Sequence, residues 1–257
     1  MSDQKKPGKI SGLMKKLSKS ASTSQAKSDA NLSILKQYDI VFLIDDSGSM
    51  SLDRPTRWDQ VRTVLQDIAH VSTQWDEDGI DIHFLNNEKP YKNVKKAKHV
   101  MKIFNNVIPI GGTYTERRLR HILRPYIRDC EIRHMQHKSE PKLIDLIVIT
   151  DGIPSDDPIN CLTEFAKRLD AIDANLMQVG VQFVQVGDDA GAAANLEELD
   201  NLHEENDCRD IVDTVSYAER IVMGAKFDKE FLIEKVLLGA INKKLDRMQL
   251  KNQKAKG

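Results

Sequence analysis

The chain has 257 residues, 40% of them hydrophobic and 30% charged, which is enough apolar material for one sizeable buried core. No run of about 18 apolar residues occurs, so no membrane-spanning helix is expected. The opening Met-Ser-Asp-Gln-Lys-Lys lacks both the apolar stretch of a secretion signal and the second-position glycine of a myristoylation site, and a cytoplasmic protein is expected.

The formal net charge of -1 conceals basic ends around an acidic middle. Residues 1–38 hold eight lysines against two aspartates, and residues 242–257 hold six basic residues against Asp246. Neither end carries interleaved aromatics or a nucleic-acid-binding motif, so no nucleic-acid partner is expected. They read as solvated tails, with weak contact of the basic arm to a membrane surface as the alternative. Cys130, Cys161 and Cys208 are odd in number, widely spaced and without a CxxC pair, which fits free thiols better than a disulfide framework or a structural zinc.

Residues 1–36, with a serine-rich run at 18–24 and a short basic amphipathic stretch at 10–17, read as a disordered arm. From Tyr38 the pattern changes to alternating strand and helix. Asp39-Ile-Val-Phe-Leu-Ile-Asp45 is a continuous apolar strand that runs into the polar loop Asp46-Ser-Gly-Ser49. Residues 57–74 carry apolar side chains at helical spacing, residues 79–85 alternate as a half-exposed strand, and a second helix is expected over 94–104. After the loop Ile110-Gly-Gly-Thr-Tyr-Thr115 comes a long helix to about residue 133, kinked or restarted near Pro125. Residues 143–150 form the most strand-like segment and lead into Asp151-Gly152. Helix over 161–174, strand over 179–186, helix over 192–202, a short edge strand at 210–213 and a closing amphipathic helix over 227–248 complete the pattern. Apolar strands alternating with helices imply a mostly parallel, doubly wound α/β sheet covered on both faces. The expected organisation is therefore a basic arm at 1–36, one domain at 37–248 and a basic tail at 249–257.

In such a sheet, ligands bind at the carboxyl ends of the strands where the strand order reverses. Those positions offer Asp45, Ser47 and Ser49 in one tight loop, Thr113 after a Gly-Gly pair, and Asp151 after the 143–150 strand. Two carboxylates and three hydroxyls, with no thiolate or imidazole, suit Mg²⁺ or Mn²⁺ and disfavour zinc or iron. His134 and His137 lack a third ligand nearby and read as a solvent-exposed pair. Trp58 and Trp75 read as packing residues, and Asp46 as a surface or supporting acid.

The ordered set Asp45-Asp-Ser47-Gly-Ser49, Gly112-Thr113 and Thr150-Asp151-Gly152 resembles the metal-ion-dependent adhesion site of the von Willebrand factor type A domain family. The resemblance covers roughly residues 37–225. It implies that Ser47 and Ser49 ligate the metal directly, that Thr113 does so directly or through water, and that Asp45 and Asp151 act mainly through water. It implies further a non-enzymatic module whose open metal position takes a Glu or Asp of a protein partner, and a last helix able to shift when ligand binds.

Two other readings stay open on the residues. A haloacid-dehalogenase-type phosphohydrolase could use Asp45, Thr150 and the pair Asp188-Asp189, but its second catalytic aspartate would fall at Ser47. A purely structural metal site uses the same five residues. A serine hydrolase is disfavoured, because neither serine lies in a GxSxG elbow and no histidine falls in the strand-end loops.

Overall fold

The structure is a computed structural model and describes residues 29–216 and 229–242. The stretches at 10–17 and 18–24, and the tail after residue 242, lie outside the described residues. Six strands form a single sheet: β1 (Tyr38–Ile44), β2 (Ile80–Phe84), β3 (Tyr91–Val94), β4 (Leu143–Thr150), β5 (Val179–Gln185) and β6 (Val212–Ser216), in the order β3-β2-β1-β4-β5-β6. All neighbours pair in parallel except β2 with β3, so the doubly wound α/β architecture expected from the sequence is the one observed.

The continuous apolar runs follow from burial on both faces. On β1, Ile40, Phe42 and Ile44 enter one core, while Val41 and Leu43 enter the other. The first core packs against α1 (Arg57–Trp75), α2 (Ala97–Phe104) and, near the end of the chain, α7 (Lys229–Leu238). The second packs against α3 (Thr115–Met135), α4 (Pro158–Ala171), α5 (Ala190–Asp200) and α6 (Leu202–Asn206). Trp58 is buried in the first core, stacked on Phe104 with ring centroids 3.9 Å apart. All three cysteines are free, and burial pushes the thiols of Cys130 and Cys161 up to about 12, leaving them protonated and inert.

Several expectations about element boundaries are corrected. The arm does not extend to residue 36 as an unstructured segment: a 3₁₀ turn at Ser33–Gln37 leads into β1, and Leu32 just before it and Leu35 within it are buried. β3 was not expected, because Tyr-Lys-Asn-Val has no apolar pattern of its own and becomes a strand by pairing antiparallel with β2. α3 runs through Pro125 as one helix. The edge strand begins two residues later than expected, at Val212. α7 ends at Leu238 and the chain turns at Gly239, where a side chain would collide with Asp213 and Gln182, while the part of the expected closing helix at 243–248 lies outside the described residues.

The connection through α1 carries the chain from β1 to β2 on one side, while β4, β5 and β6 extend on the other. The strand order therefore reverses between β1 and β4, and the loops after Ile44 and Thr150 diverge around a crevice.

Candidate metal centre

Asp45 is the first residue past β1. Its N–H donates to the carbonyl of Ile149 at 2.8 Å, which keeps it in register with β4. Its Oδ1 accepts from the Ser47 backbone N–H at 2.8 Å, closing the tight turn, and its Oδ2 accepts from Thr150 Oγ1 at 2.7 Å. One carboxylate thus ties together the two strand ends that flank the crevice. Burial pushes the Asp45 carboxyl up to about 6, against the opposing effect of the hydrogen bonds from Ser47 and Thr150.

From Asp45 the polar chain continues. Ser47 Oγ and Ser49 Oγ lie 2.9 Å apart, and Ser49 Oγ donates to Asp151 Oδ1 at 3.0 Å. Because the single Ser49 proton is given to Asp151, Ser47 is the donor of the pair. Asp151 is fully buried, and its second oxygen accepts from Arg57 Nη1 at 2.9 Å. Arg57 Nε in turn donates to Asp53 Oδ2 at 2.7 Å. A capping box sets Arg57 at the start of α1: Thr56 Oγ1 accepts from the Asp59 N–H at 3.1 Å, and the Asp59 carboxylate accepts from the Thr56 N–H at 3.3 Å.

Thr113 reaches the rim by a different route. Gly48 N donates to Gly111 O at 3.0 Å, and Ile110 N donates to Asp46 O at 2.7 Å, so the 110–113 loop is sewn by its backbone to the Asp45–Ser49 loop. Gly111 has φ +103°, and a Cβ there would strike the Asn86 amide. Thr113 O accepts from Ser155 N at 2.8 Å, and Thr113 N donates to Ser155 Oγ at 3.3 Å, which anchors it to the loop that follows Asp151. The structure therefore joins Ser47, Ser49 and Asp151 through their side chains, ties the Asp45 carboxylate to the Ser47 backbone, and places Thr113 beside them through its backbone. Among the described residues, the Thr113 hydroxyl makes no hydrogen bond to the other four.

Asp46 is not a surface acid. It is buried, with Oδ1 accepting from Asn86 N at 2.7 Å and Asn86 Nδ2 at 3.2 Å, and Oδ2 accepting from Asn87 N at 2.9 Å. Burial raises its pKa, against those same hydrogen bonds. Asn86 Nδ2 also donates to Gly112 O at 3.0 Å, so Asp46 and Asn86 brace the Thr113 loop against the end of β2. The sequence reading missed Arg57 and Asn86. The capping box was the only local sign that a helix begins beside the site, and nothing local marks Asn86.

His134 and His137 are exposed at the far end of α3, as expected. Asp189 accepts from Ala192 N at 2.9 Å and serves as the cap of α5, while Asp188 is exposed. A second group of acids, Asp39, Asp76 and Asp78, lies at the opposite end of the sheet. There Lys142 Nζ already binds all three, at 2.8, 3.4 and 2.9 Å.

The donor set suits a small hard cation. Two buried carboxylates and two hydroxyls meet at one crevice, Asp45 through the Ser47 backbone and the rest through side chains; all of these groups are oxygen donors, and one guanidinium is the only positive group bonded to them among the described residues.

The sequence matches the von Willebrand factor type A domain over residues 39–221, and the chain belongs to this family. Domains of this family generally serve as protein–protein interaction modules. Among solved structures, the chain is similar in fold to the SpRpn10 VWA domain, with 12% identity, TM-score 0.43, and 70% of this chain aligned to 87% of that one. It is also similar to the pilus adhesin SpaC from Lactobacillus rhamnosus GG, with 14% identity, TM-score 0.46, and 79% of this chain aligned to 31% of that one. A third is proximal thread matrix protein 1 of the mussel byssus, with 18% identity, TM-score 0.45, and 78% of this chain aligned to 47% of that one. This chain thus spans less than half of the adhesin and of the byssus protein. No curated protein matches the chain in sequence.

Proposed function

We propose that the chain binds Mg²⁺ (or Mn²⁺) through Ser47, Ser49 and Thr113, with Asp45 and Asp151 supporting the ion, and that it uses this site to engage a Glu or Asp of a protein partner. The observation that carries this reading is the hydrogen-bonded chain Asp45–Ser47–Ser49–Asp151 at the point where the strand order reverses. A divalent ion there supplies a Lewis-acidic position for an external carboxylate. The residues do the rest. The hydroxyls are held within reach of one another, the buried carboxylates give the crevice its negative charge, and Asp46 with Asn86 fixes the loop that bears Thr113. Neutral hydroxyl donors leave the cation with charge to spare, and that charge selects an anionic partner.

A phosphohydrolase is supported less well. Position 47 is a serine, and the one candidate for a later acidic residue that is bonded at this rim, Asp189, is engaged in capping a helix.

The test is a calorimetric Mg²⁺ titration of the full chain, of Asp151→Ala and of the pair Ser47→Ala with Ser49→Ala, combined with circular dichroism. Cation binding lost in both variants, with the fold retained, supports the site. Unchanged affinity in either overturns it. Affinity capture in Mg²⁺ and in EDTA, with Asp151→Ala as control, then separates an interaction site from a structural one, since partners that survive both treatments do not bind through the metal.

A further inference from the structure

Eight large hydrophobic side chains are exposed among the described residues, and they gather at the two ends of the sheet. Met135, Leu176 and Met177 lie at the end opposite the candidate site. Leu52, Ile108, Ile110, Tyr114 and Ile153 lie at the site's own rim, each between 43% and 80% exposed. Leu52 follows Ser49 by three residues and donates its N–H to Ser49 O at 2.9 Å. Ile110 precedes Thr113 by three residues and donates its N–H to Asp46 O at 2.7 Å, and Ile108 lies two residues earlier on the same loop. Tyr114 follows Thr113, with its ring folded over Gly112. Ile153 follows Asp151 by two residues and rests against Gly191 at the start of α5.

Exposed apolar residues scattered singly need no explanation, but five clustered around one polar crevice do. Local packing does not require them: the backbone bonds that hold these loops would form equally well with polar side chains. Their arrangement also constrains the occupant. Successive Cα atoms of an extended peptide are about 3.8 Å apart. A carboxylate seated at the Ser47–Ser49–Asp151 crevice would set its neighbouring residues along the rim that carries Leu52, Ile110, Tyr114 and Ile153.

We propose that this collar is a docking surface for a polypeptide segment in which an acidic residue is flanked by apolar side chains. The proposal rests on the acid-binding reading given above and adds the chemistry of the flanking positions. The polar crevice fixes the register of the segment, and the collar supplies the hydrophobic area and the selectivity. The guanidinium of Arg117, 5.0 Å from the Tyr114 ring, stiffens one side of the collar.

Three blocked pentapeptides test it against the full chain by calorimetry in Mg²⁺ and in EDTA: Gly-Leu-Glu-Leu-Gly, Gly-Ser-Glu-Ser-Gly and Gly-Leu-Gln-Leu-Gly. The expected result is that the Leu-Glu-Leu peptide binds about tenfold tighter than the Ser-Glu-Ser peptide in Mg²⁺. The Gln peptide should fail, and EDTA should abolish binding. The pair Ile108→Ser with Ile110→Ser should erase the advantage of the leucines while leaving Mg²⁺ affinity unchanged, which shows that the fold is intact. Equal, EDTA-sensitive affinity for both Glu peptides overturns the collar and leaves the acid-binding site standing. Equal, EDTA-insensitive affinity for the Glu and Gln leucine peptides overturns the acid-binding reading, and this proposal with it. Binding by none of the three overturns the collar. Self-association in sedimentation that the Ile108 and Ile110 substitutions abolish assigns the collar to a second copy of this chain and likewise overturns the peptide proposal.

Discussion

Arg57 and Asp151 are 94 residues apart in sequence and joined by a 2.9 Å ion pair at the strand ends. The pair divides the Asp151 carboxylate, with one oxygen facing the Ser49 hydroxyl and the other held by a tethered cation. Asp53, half exposed, holds the Nε side of the same guanidinium and gives it a second resting place at the surface. The site therefore carries its own counter-charge, and a divalent ion bound there would meet the like charge of a guanidinium already held by Asp53 as well as Asp151.

This sets the outcome for Arg57→Gln. Without metal, a buried carboxylate loses its charged partner, and the chain should lose about 1–3 kcal/mol of stability. With Mg²⁺, the repulsion is gone and the affinity should rise. Melting temperatures of both proteins with and without Mg²⁺ read the two effects together: the variant should start lower and gain more. A smaller Mg²⁺-induced gain in the variant would show that Arg57 assists the cation instead of competing with it.

Asp46→Ala should be the more damaging change, although Asp46 is not in the donor chain. It removes the acceptor of two backbone N–H groups, of Asn86 and Asn87, along with the Asn86 side-chain bond. Buried donors left without partners cost about 1–3 kcal/mol each. Urea unfolding should show a loss of about 2 kcal/mol or more, and Mg²⁺ affinity should fall because the Asn86 brace on Gly112 loosens. Wild-type stability in Asp46→Ala would mean that other contacts hold the loop.

What the sequence made legible, and what it did not, follows one physical rule. β4 was readable to the residue because burial on both faces imposes a continuous apolar run, and the placement of Asp45, Ser47, Ser49 and Asp151 at one rim was readable because strand-end loops carry them in order. β3 was not, since its strand character comes from its partner. Arg57 and Asn86 were not, since their roles depend on contacts 94 and 40 residues away. Asp46 read as either a surface or a supporting acid, because nothing nearby in sequence shows the amides that decide for the second. The stop at Gly239 was hidden for the same reason: the obstruction belongs to β5 and β6.

Lys235 of α7 and Asp213 of β6 form a buried ion pair, with Nζ 2.9 and 2.8 Å from the two carboxylate oxygens. Beside it, the Ala240 N–H donates to Gln182 Oε1 at 3.1 Å, so the end of α7 is held to the sheet by polar contacts as well as by its apolar face. Lys235→Met strips Asp213 of this partner and should cost about 3–5 kcal/mol. Adding Asp213→Leu should recover most of that loss, because two apolar groups replace two desolvated charges. Unfolding curves for the single and double variants decide it, and additive losses would show that the two residues act independently.

His83 on β2 gives the chain a pH dependence of definite sign. Burial, then the neighbouring charges of Lys92, Arg118 and His121, push its pKa down to about 4 from an ordinary value of 6.5. Above about pH 6.5 the imidazole is neutral in folded and unfolded chains alike and contributes no slope. As the pH falls through 6.5, the unfolded chain takes up a proton that the folded chain refuses, and stability drains until about pH 4, where both are protonated. The difference between the two values corresponds to about 3 kcal/mol. Asp45, whose pKa is raised to about 6, works in the opposite direction over the same range, because its folded carboxyl holds a proton that the unfolded chain has released. Comparison with His83→Gln cancels that contribution, since both proteins contain Asp45. Urea unfolding of the two at about pH 7.5 and about pH 4.5 should show the variant gaining on the parent as the solution is acidified. A difference that stays constant between the two pH values would mean that His83 accepts its proton in the folded chain as readily as in water.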